Sequence, residues 1–159
     1  MASIYQDLGD LEQAKEYQQR ALAIRLDKLG PKHVDVATSH NNLASIYKDL
    51  GDLEQAKEYQ QRALAITMDK LGPKHVDVAT SYNNLASIYQ HLGDLEQAKE
   101  YQQHALAIRL DKLGPKHVDV ATSYNNLASI YGELGDLGQA MEYQQRALAI
   151  TFDKLFSSD

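Results

Sequence analysis

Six histidines stand in a chain of 159 residues that has no cysteine. Imidazoles can hold a metal ion, so their spacing is the first question. His33, His75 and His117 recur once every 42 residues. A metal needs its ligands at ~2 Å, whereas groups one structural repeat apart stand on the order of 10 Å or more from each other. These three therefore read as loop or helix-cap residues. His91 and His104 have no neighbour at metal-ligand spacing. Catalytic constellations fail in the same way. The recurring Asp and Glu have capping or surface roles, there is no glycine-rich phosphate loop, and no Ser/His/acid set stands apart from the repeat. The "LGD" stretches are turns, not nucleophile elbows. No enzyme activity, cofactor or metal is expected.

The asparagine pairs Asn41–Asn42, Asn83–Asn84 and Asn125–Asn126 offer different chemistry. A side-chain amide donates and accepts at once, so it can pair with the backbone of an extended peptide whatever its sequence. It can equally brace a neighbouring helix. Both readings stand at the level of sequence.

Whatever positions these residues is repetitive. "NNLASIY" occurs at 41–47, 83–89 and 125–131, and "ASIY" once more at 2–5. Residues 37–78 and 79–120 differ at six of 42 positions: 40/82, 48/90, 49/91, 62/104, 67/109 and 68/110. Each unit reads as two helices. In the first, Val78, Tyr82, Leu85, Ala86, Ile88, Tyr89 and Leu92 recur at spacings of three and four, the face of an amphipathic helix. Gly93 ends it, because glycine takes the left-handed conformation cheaply. Asp94 caps the second helix with Gln97 three residues on, a capping box repeated at Asp10/Gln13, Asp52/Gln55 and Asp136/Gln139. That helix carries Leu95, Ala98, Tyr101, Ala105, Leu106, Ile108 and Leu113 and stops at Gly114–Pro115. Ala44, Ala56 and Ala63 allow the helices to approach closely. One such hairpin cannot bury its own apolar face, so neighbours must stack on it.

Composition narrows the partners. The chain is 43% apolar and 24% charged, with a formal net charge of −6 and no Lys/Arg cluster. That argues against nucleic acid and against anionic membrane, both of which need a basic surface. No apolar run approaches the ~18 residues of a transmembrane helix, and "MASIYQDLGD" is not a secretory signal. A cytoplasmic location fits the absence of cysteine.

The small–aromatic–Asn-Leu-Ala–Tyr–Leu-Gly–Ala–Ala-Leu pattern resembles the tetratricopeptide repeat (TPR). The 42-residue period, with "LGPKHVDVATSYNNLASIY", is most similar to the long TPR subclass of kinesin light chains. The resemblance covers essentially the whole chain. It implies an all-α, right-handed superhelical solenoid of antiparallel helix pairs, here a single array: a partial unit 1–36, full units 37–78 and 79–120, and a final unit 121–159. It also implies a concave groove, lined by the first helices, that binds short peptides from a partner protein. That face falls at Thr38, Asn41, Asn42, Ser45, Lys48 and Asp49, then at Thr80, Asn83, Asn84, Ser87, Gln90 and His91, then at Thr122, Asn125, Asn126, Ser129, Gly132 and Glu133. Differences between copies at 48/90 and 49/91 fit either a binding face on a constant scaffold or free surface drift. No paired Lys/Arg clamp for a C-terminal carboxylate is present.

Departures from the family pattern carry expectations of their own. Val34, Val76 and Val118 replace a proline before the first helix. Gln60, Gln102 and Gln144 occupy a usually apolar position, where a half-buried amide needs partners and the adjacent Tyr59, Tyr101 and Tyr143 take over packing. The eight residues beyond a 34-residue TPR read as two further turns of the second helix, with Leu26, Leu29, Val34 and Val36 forming a small satellite core. The chain starts partway through a first helix and ends on an uncovered second helix rich in apolar residues (Met141, Phe152, Phe156), as if cut from a longer array. An alternative function follows: self-association into a dimer or head-to-tail stack through these terminal helices.

Overall fold

The computed structural model describes residues 10–156. The partial first helix expected near Ala2 lies outside the described residues. Seven helices follow in the described chain: α1 (Leu11–Leu29), α2 (Val34–Asp49), α3 (Leu53–Leu71), α4 (Val76–Leu92), α5 (Leu95–Leu113), α6 (Val118–Leu134) and α7 (Leu137–Phe156). The chain divides into two compact units, Met1–Pro73 and Lys74–Asp159. In the first, α2 packs against both α1 and α3. In the second, α4 pairs with α5, α5 with α6 and α6 with α7.

The helix ends follow from the residues that bound them. Asp10, Asp52, Asp94 and Asp136 each accept a hydrogen bond from the backbone N–H three residues on, at 3.1–3.2 Å. This satisfies an amide that the first turn leaves unpaired. The other helix starts use histidine. Nδ1 of His33, His75 and His117 accepts from the backbone N–H of Asp35, Asp77 and Asp119, 3.0 Å in all three. The helix begins at the valine immediately after the histidine, so the missing proline leaves the start intact. At Gly93 the backbone is left-handed (φ 85°, ψ 4°). The N–H of Asp94 reaches the Tyr89 carbonyl at 2.9 Å, closing the last turn.

Each hairpin buries small residues where its helices cross. Ala44, Ala56 and Ala63 are inaccessible or nearly so, as are Ala86, Ala98 and Ala105 in the second unit. Leu43, Leu85 and Leu127 fill the larger spaces. The second-helix tyrosines pack as expected. Tyr59 lies against the rings of His40 and Tyr47, Tyr101 against Tyr82 and Tyr89, and Tyr143 against Tyr124 and Tyr131, with centroids 5.4–5.8 Å apart.

Two expectations are corrected. The satellite core does not form: Leu26 and Leu29 are 38% and 44% exposed, while Val36 joins the main core with Leu22 and Leu43. The glutamines are not half-buried as a set. Gln60 and Gln102 are each 1% exposed, and Gln144 is exposed because no later helix lies over it among the described residues.

Candidate protein-binding face

The buried glutamines decide what the asparagines can do. Gln102 Nε2 donates to Asn83 Oδ1 at 3.1 Å, across the α4–α5 pair. Asn126 Nδ2, from α6, donates to the same oxygen at 2.8 Å. Asn83 thus joins α4 to α5 and α6 at once. In the first unit Gln60 Nε2 donates to Asn41 Oδ1. Asn42 Nδ2 makes a longer contact, 3.5 Å, to Gln18 Oε1 on α1. The bracing role therefore belongs to Asn41, Asn83 and Asn126. Asn42 and Asn125 are exposed, and Asn84 is half-buried.

The remaining face residues divide by position. The hydroxyls of Thr38, Thr80 and Thr122 are at exposed residues and donate to the carbonyls of Val34, Val76 and Val118 at 3.2–3.4 Å. Ser45 and Ser129 are exposed, while Ser87 is half-buried. At the far end of the second unit, Gln90 Nε2 donates to Ser129 Oγ at 3.0 Å and to Glu133 Oε1. His91, exposed, has Nδ1 2.8 Å from the Ser87 carbonyl. Lys48 is half-buried and Asp49 exposed in the first unit. The structure thus brings Asn83 and Asn126 into one hydrogen-bonded cluster between α4 and α6, and Gln90, Ser129 and Glu133 into another.

Hydrogen bonds and burial shift the titrating groups on and behind this face. Lys99 is held above its ordinary pKa mainly by its hydrogen bond to Glu96, and Lys15 likewise by Glu12. Burial pushes the Tyr101 and Tyr143 phenols up, with neighbouring tyrosines adding to the shift. Burial also pulls His40 below the usual imidazole value, and the Arg62 charge adds to it. Among the described residues, no three His, Asp or Glu side chains converge as a metal site requires. No helix there is long and apolar enough to cross a membrane.

One connection escaped the sequence reading. Arg25 Nη1 donates to Ser39 Oγ at 2.7 Å and to the Asp35 carbonyl at 3.2 Å. Arg109 repeats this with Ser123 at 2.8 Å and the Asp119 carbonyl at 3.5 Å. Each guanidinium fastens a second helix to the first helix that follows. Burial lowers the Arg109 pKa, and Asp119 partly offsets the shift. The available signal was an Arg/Thr alternation at 25, 67, 109 and 151, with a serine fourteen residues after each arginine.

Helix hairpins at a 42-residue interval, tied by amide braces and arginine staples, define an all-α helical-repeat solenoid. A sequence model of the tetratricopeptide repeat matches residues 1–69 and 77–151, and the chain belongs to that family. Solved structures agree. BtubC (BKLC) from P. vanneervenii is 31% identical with a TM-score of 0.89, over 98% of this chain and 62% of that one. This chain thus spans less than two thirds of BtubC. A kinesin light chain-type protein of Podosopora anserina with nearly identical TPR-like repeats is 28% identical, TM-score 0.84, over 96% of this chain and 72% of its own. The repeats therefore resemble those of kinesin light chains. MamA, at 20% identity and TM-score 0.71 over 99% of this chain and 73% of that one, shows the shared fold alone. No curated protein matches this chain. Tetratricopeptide repeats serve in general as non-enzymatic scaffolds for protein–protein interaction, and no catalytic family is indicated.

Proposed function

We propose that this chain is a protein-interaction scaffold that binds a peptide segment of a partner along the face of its first helices. The observation that carries this reading is the division of labour among the asparagines and their neighbours. Asn41, Asn83 and Asn126 hold the frame, which leaves Asn84 and Asn125 to meet a peptide backbone, with Asn42 held only by its long contact to Gln18. The exposed Thr38 and Ser45 of the first unit, and Thr80, Thr122 and Ser129 of the second, add hydroxyls on the first helices, with Ser87 half-buried. Side-chain selectivity falls to the positions that differ between copies: Lys48 and Asp49, Gln90 and His91, Gly132 and Glu133. Amides with variable neighbours on the first helices suit an extended or helical segment better than a small molecule.

A random twelve-residue peptide library selected on the chain tests this. Asn84→Ala combined with Asn125→Ala should weaken the selected peptides by ~10-fold or more, the effect of losing well-placed interface contacts. The melting temperature should hold, because neither residue is one of the braces. Glu142→Ala on α7 is the control and should leave affinity unchanged. Peptides that bind the double variant as tightly as the original would sink the proposal.

A further inference from the structure

At the far end of the face in the second unit, the hydrogen bonds decide which donors and acceptors are left over. The Gln90 amide has two N–H groups. It donates to Ser129 Oγ at 3.0 Å and to Glu133 Oε1. A carboxylate only accepts, so Glu133 fixes which end of the amide faces it, and both Gln90 donors are spent. Gln90 Oε1 and Glu133 Oε2 have no partner among the described residues. His91, the next residue along α4, has Nδ1 2.8 Å from the Ser87 carbonyl. That oxygen also only accepts, so Nδ1 carries the proton and the neutral ring keeps a lone pair on Nε2. The Ser129 hydroxyl is the one donor left in the group. Gln90 is half-buried, while His91, Ser129 and Glu133 are exposed.

The Glu133 charge has no answering cation: it makes no ion pair among the described residues. Lys99, in the first turns of α5, is held by Glu96 at 2.9 Å and lies 5.8 Å from the centre of the Tyr131 ring. Arg109 is bonded to Ser123, and Arg146 to Glu142. The other cations of the unit belong to the opposite end of the helices. Lys74 and Lys116 precede α4 and α6, and Lys112 and Lys154 close α5 and α7. At about 1.5 Å per residue, α6 puts about 25 Å between Lys116 and Glu133. Exposed charges at physiological salt interact over ~8 Å. The formal net charge of −6 adds to the pull on an incoming cation.

Resting on the peptide-binding reading above, we propose that Gln90, Ser129 and Glu133 form the subsite for an arginine side chain of the bound partner segment. A guanidinium carries five donors in a planar fork and no acceptor, and it pairs with a carboxylate through two parallel bonds. Two N–H groups go to Glu133, which leaves others for Gln90 Oε1. A partner carboxylate or carbonyl would meet lone pairs here and a single hydroxyl. An ammonium supplies the charge without the fork. Gln90 also holds the Glu133 carboxylate before any partner arrives, so less side-chain freedom is lost on binding.

The probes are the peptides selected from the random twelve-residue library. Aligned, they should share an arginine at one position. Citrulline there is neutral and nearly the same shape, and should bind the original chain ~5–10-fold more weakly, the effect of losing a charge-assisted hydrogen bond. Lysine there should also bind more weakly. On Glu133→Gln, which keeps the oxygen that Gln90 meets, the arginine and citrulline peptides should bind alike. Glu133→Arg should prefer the peptide with glutamate in place of the arginine. Glu100→Gln, at an exposed carboxylate on α5, controls for general attraction to an acidic chain and should leave the arginine preference unchanged. No shared arginine, the same citrulline loss on the original and Glu133→Gln chains, a lysine form as tight as the arginine form, or a lost preference with Glu100→Gln would each overturn the subsite. Peptides that need Asn84 and Asn125 but ignore Glu133→Gln would remove the subsite and leave the peptide-binding reading standing. Peptides that ignore the asparagines would remove both.

Discussion

Replacing Gln102 with leucine should stabilise the protein, although it deletes a buried hydrogen bond. The side chain is 1% exposed. Its Nε2 donates to Asn83, but its Oε1 is buried and finds no partner among the described residues. Losing one neutral hydrogen bond costs about 1 kcal/mol net, and relieving an unpaired buried carbonyl returns about 1–3 kcal/mol. Leucine is close in size and adds about 1 kcal/mol of apolar burial. Asn83 Oδ1 is not orphaned, because Asn126 still donates to it at 2.8 Å. The sum is a gain of about 1–3 kcal/mol, or roughly 3–10 °C in melting temperature for a chain of this size. Gln60 is the internal control. It is equally buried, but its amide leaves no buried oxygen unpaired, so Gln60→Leu should gain at least about 1 kcal/mol less. Circular-dichroism melts give the first reading. Native-state hydrogen exchange of α5 amides gives the second, since repeat arrays need not melt in one step. A lower melting temperature for Gln102→Leu, or identical shifts for the two variants, would refute the reasoning.

Acid should find His40. Its folded-state pKa lies below 6.5, so the unfolded chain binds the proton more readily as pH falls. Stability is then full above that value and declines below it, by at most about 1.4 kcal/mol per pH unit for one group. His40→Tyr, the residue at positions 82 and 124, should remove that share of the loss. Urea midpoints of the two proteins compared from pH 7.5 to 5 should diverge, and parallel curves would count against the buried-imidazole account. Arg109→Thr should cost about 1–3 kcal/mol by removing a charged hydrogen bond to Ser123; an unchanged urea midpoint would mean that the staple does not hold α5 to α6. Two alanine substitutions should differ in sign. Gly93→Ala places a side chain at φ 85° and should cost about 1 kcal/mol, whereas Gly132→Ala, inside α6 with open space around it, should gain up to about 1 kcal/mol. Thermal melts of the pair settle this, and a shared sign would mean that backbone conformation is not the deciding term.

The helices, their caps and the family were legible because each rests on local chemistry repeated at one period. Asp94 needs only the backbone N–H three residues on, and Gly93 needs only its own backbone; the Gln97 side chain is not needed, because the Asp94 N–H goes to the Tyr89 carbonyl. The faces of the long side chains were less legible. Nothing local distinguishes Gln102, which a following helix covers, from the identical Gln144, which is left exposed. The arginine staple hid for the same reason. Arg109 and Ser123 are fourteen residues apart across a turn, and the Arg/Thr alternation does not point to a serine, since Ser81 also stands fourteen residues after Thr67. Leu26 and Leu29 misled in the opposite sense: apolar spacing suggested a small core, but both remain exposed.

The asparagine braces also change where specificity can lie. A residue that holds three helices together, as Asn83 does, cannot be altered to suit a new ligand without loosening its own frame. Variation is pushed outward to positions that do not brace the frame. Gln90 and Glu133 show the consequence, since these two differing positions of successive units are joined directly, with Ser129 between them. Changing either one alters which donors and acceptors the other has free. On the proposed function the end of the face acts as a coupled pair, and its ligand preference should follow the combination of residues at 90 and 133 rather than either residue alone. A double-mutant cycle on Gln90→Ala and Glu133→Ala, read as affinity for a selected peptide, should show non-additivity of about 0.5 kcal/mol or more. Strict additivity would mean that the two positions contact the ligand independently and that their hydrogen bond does not shape recognition.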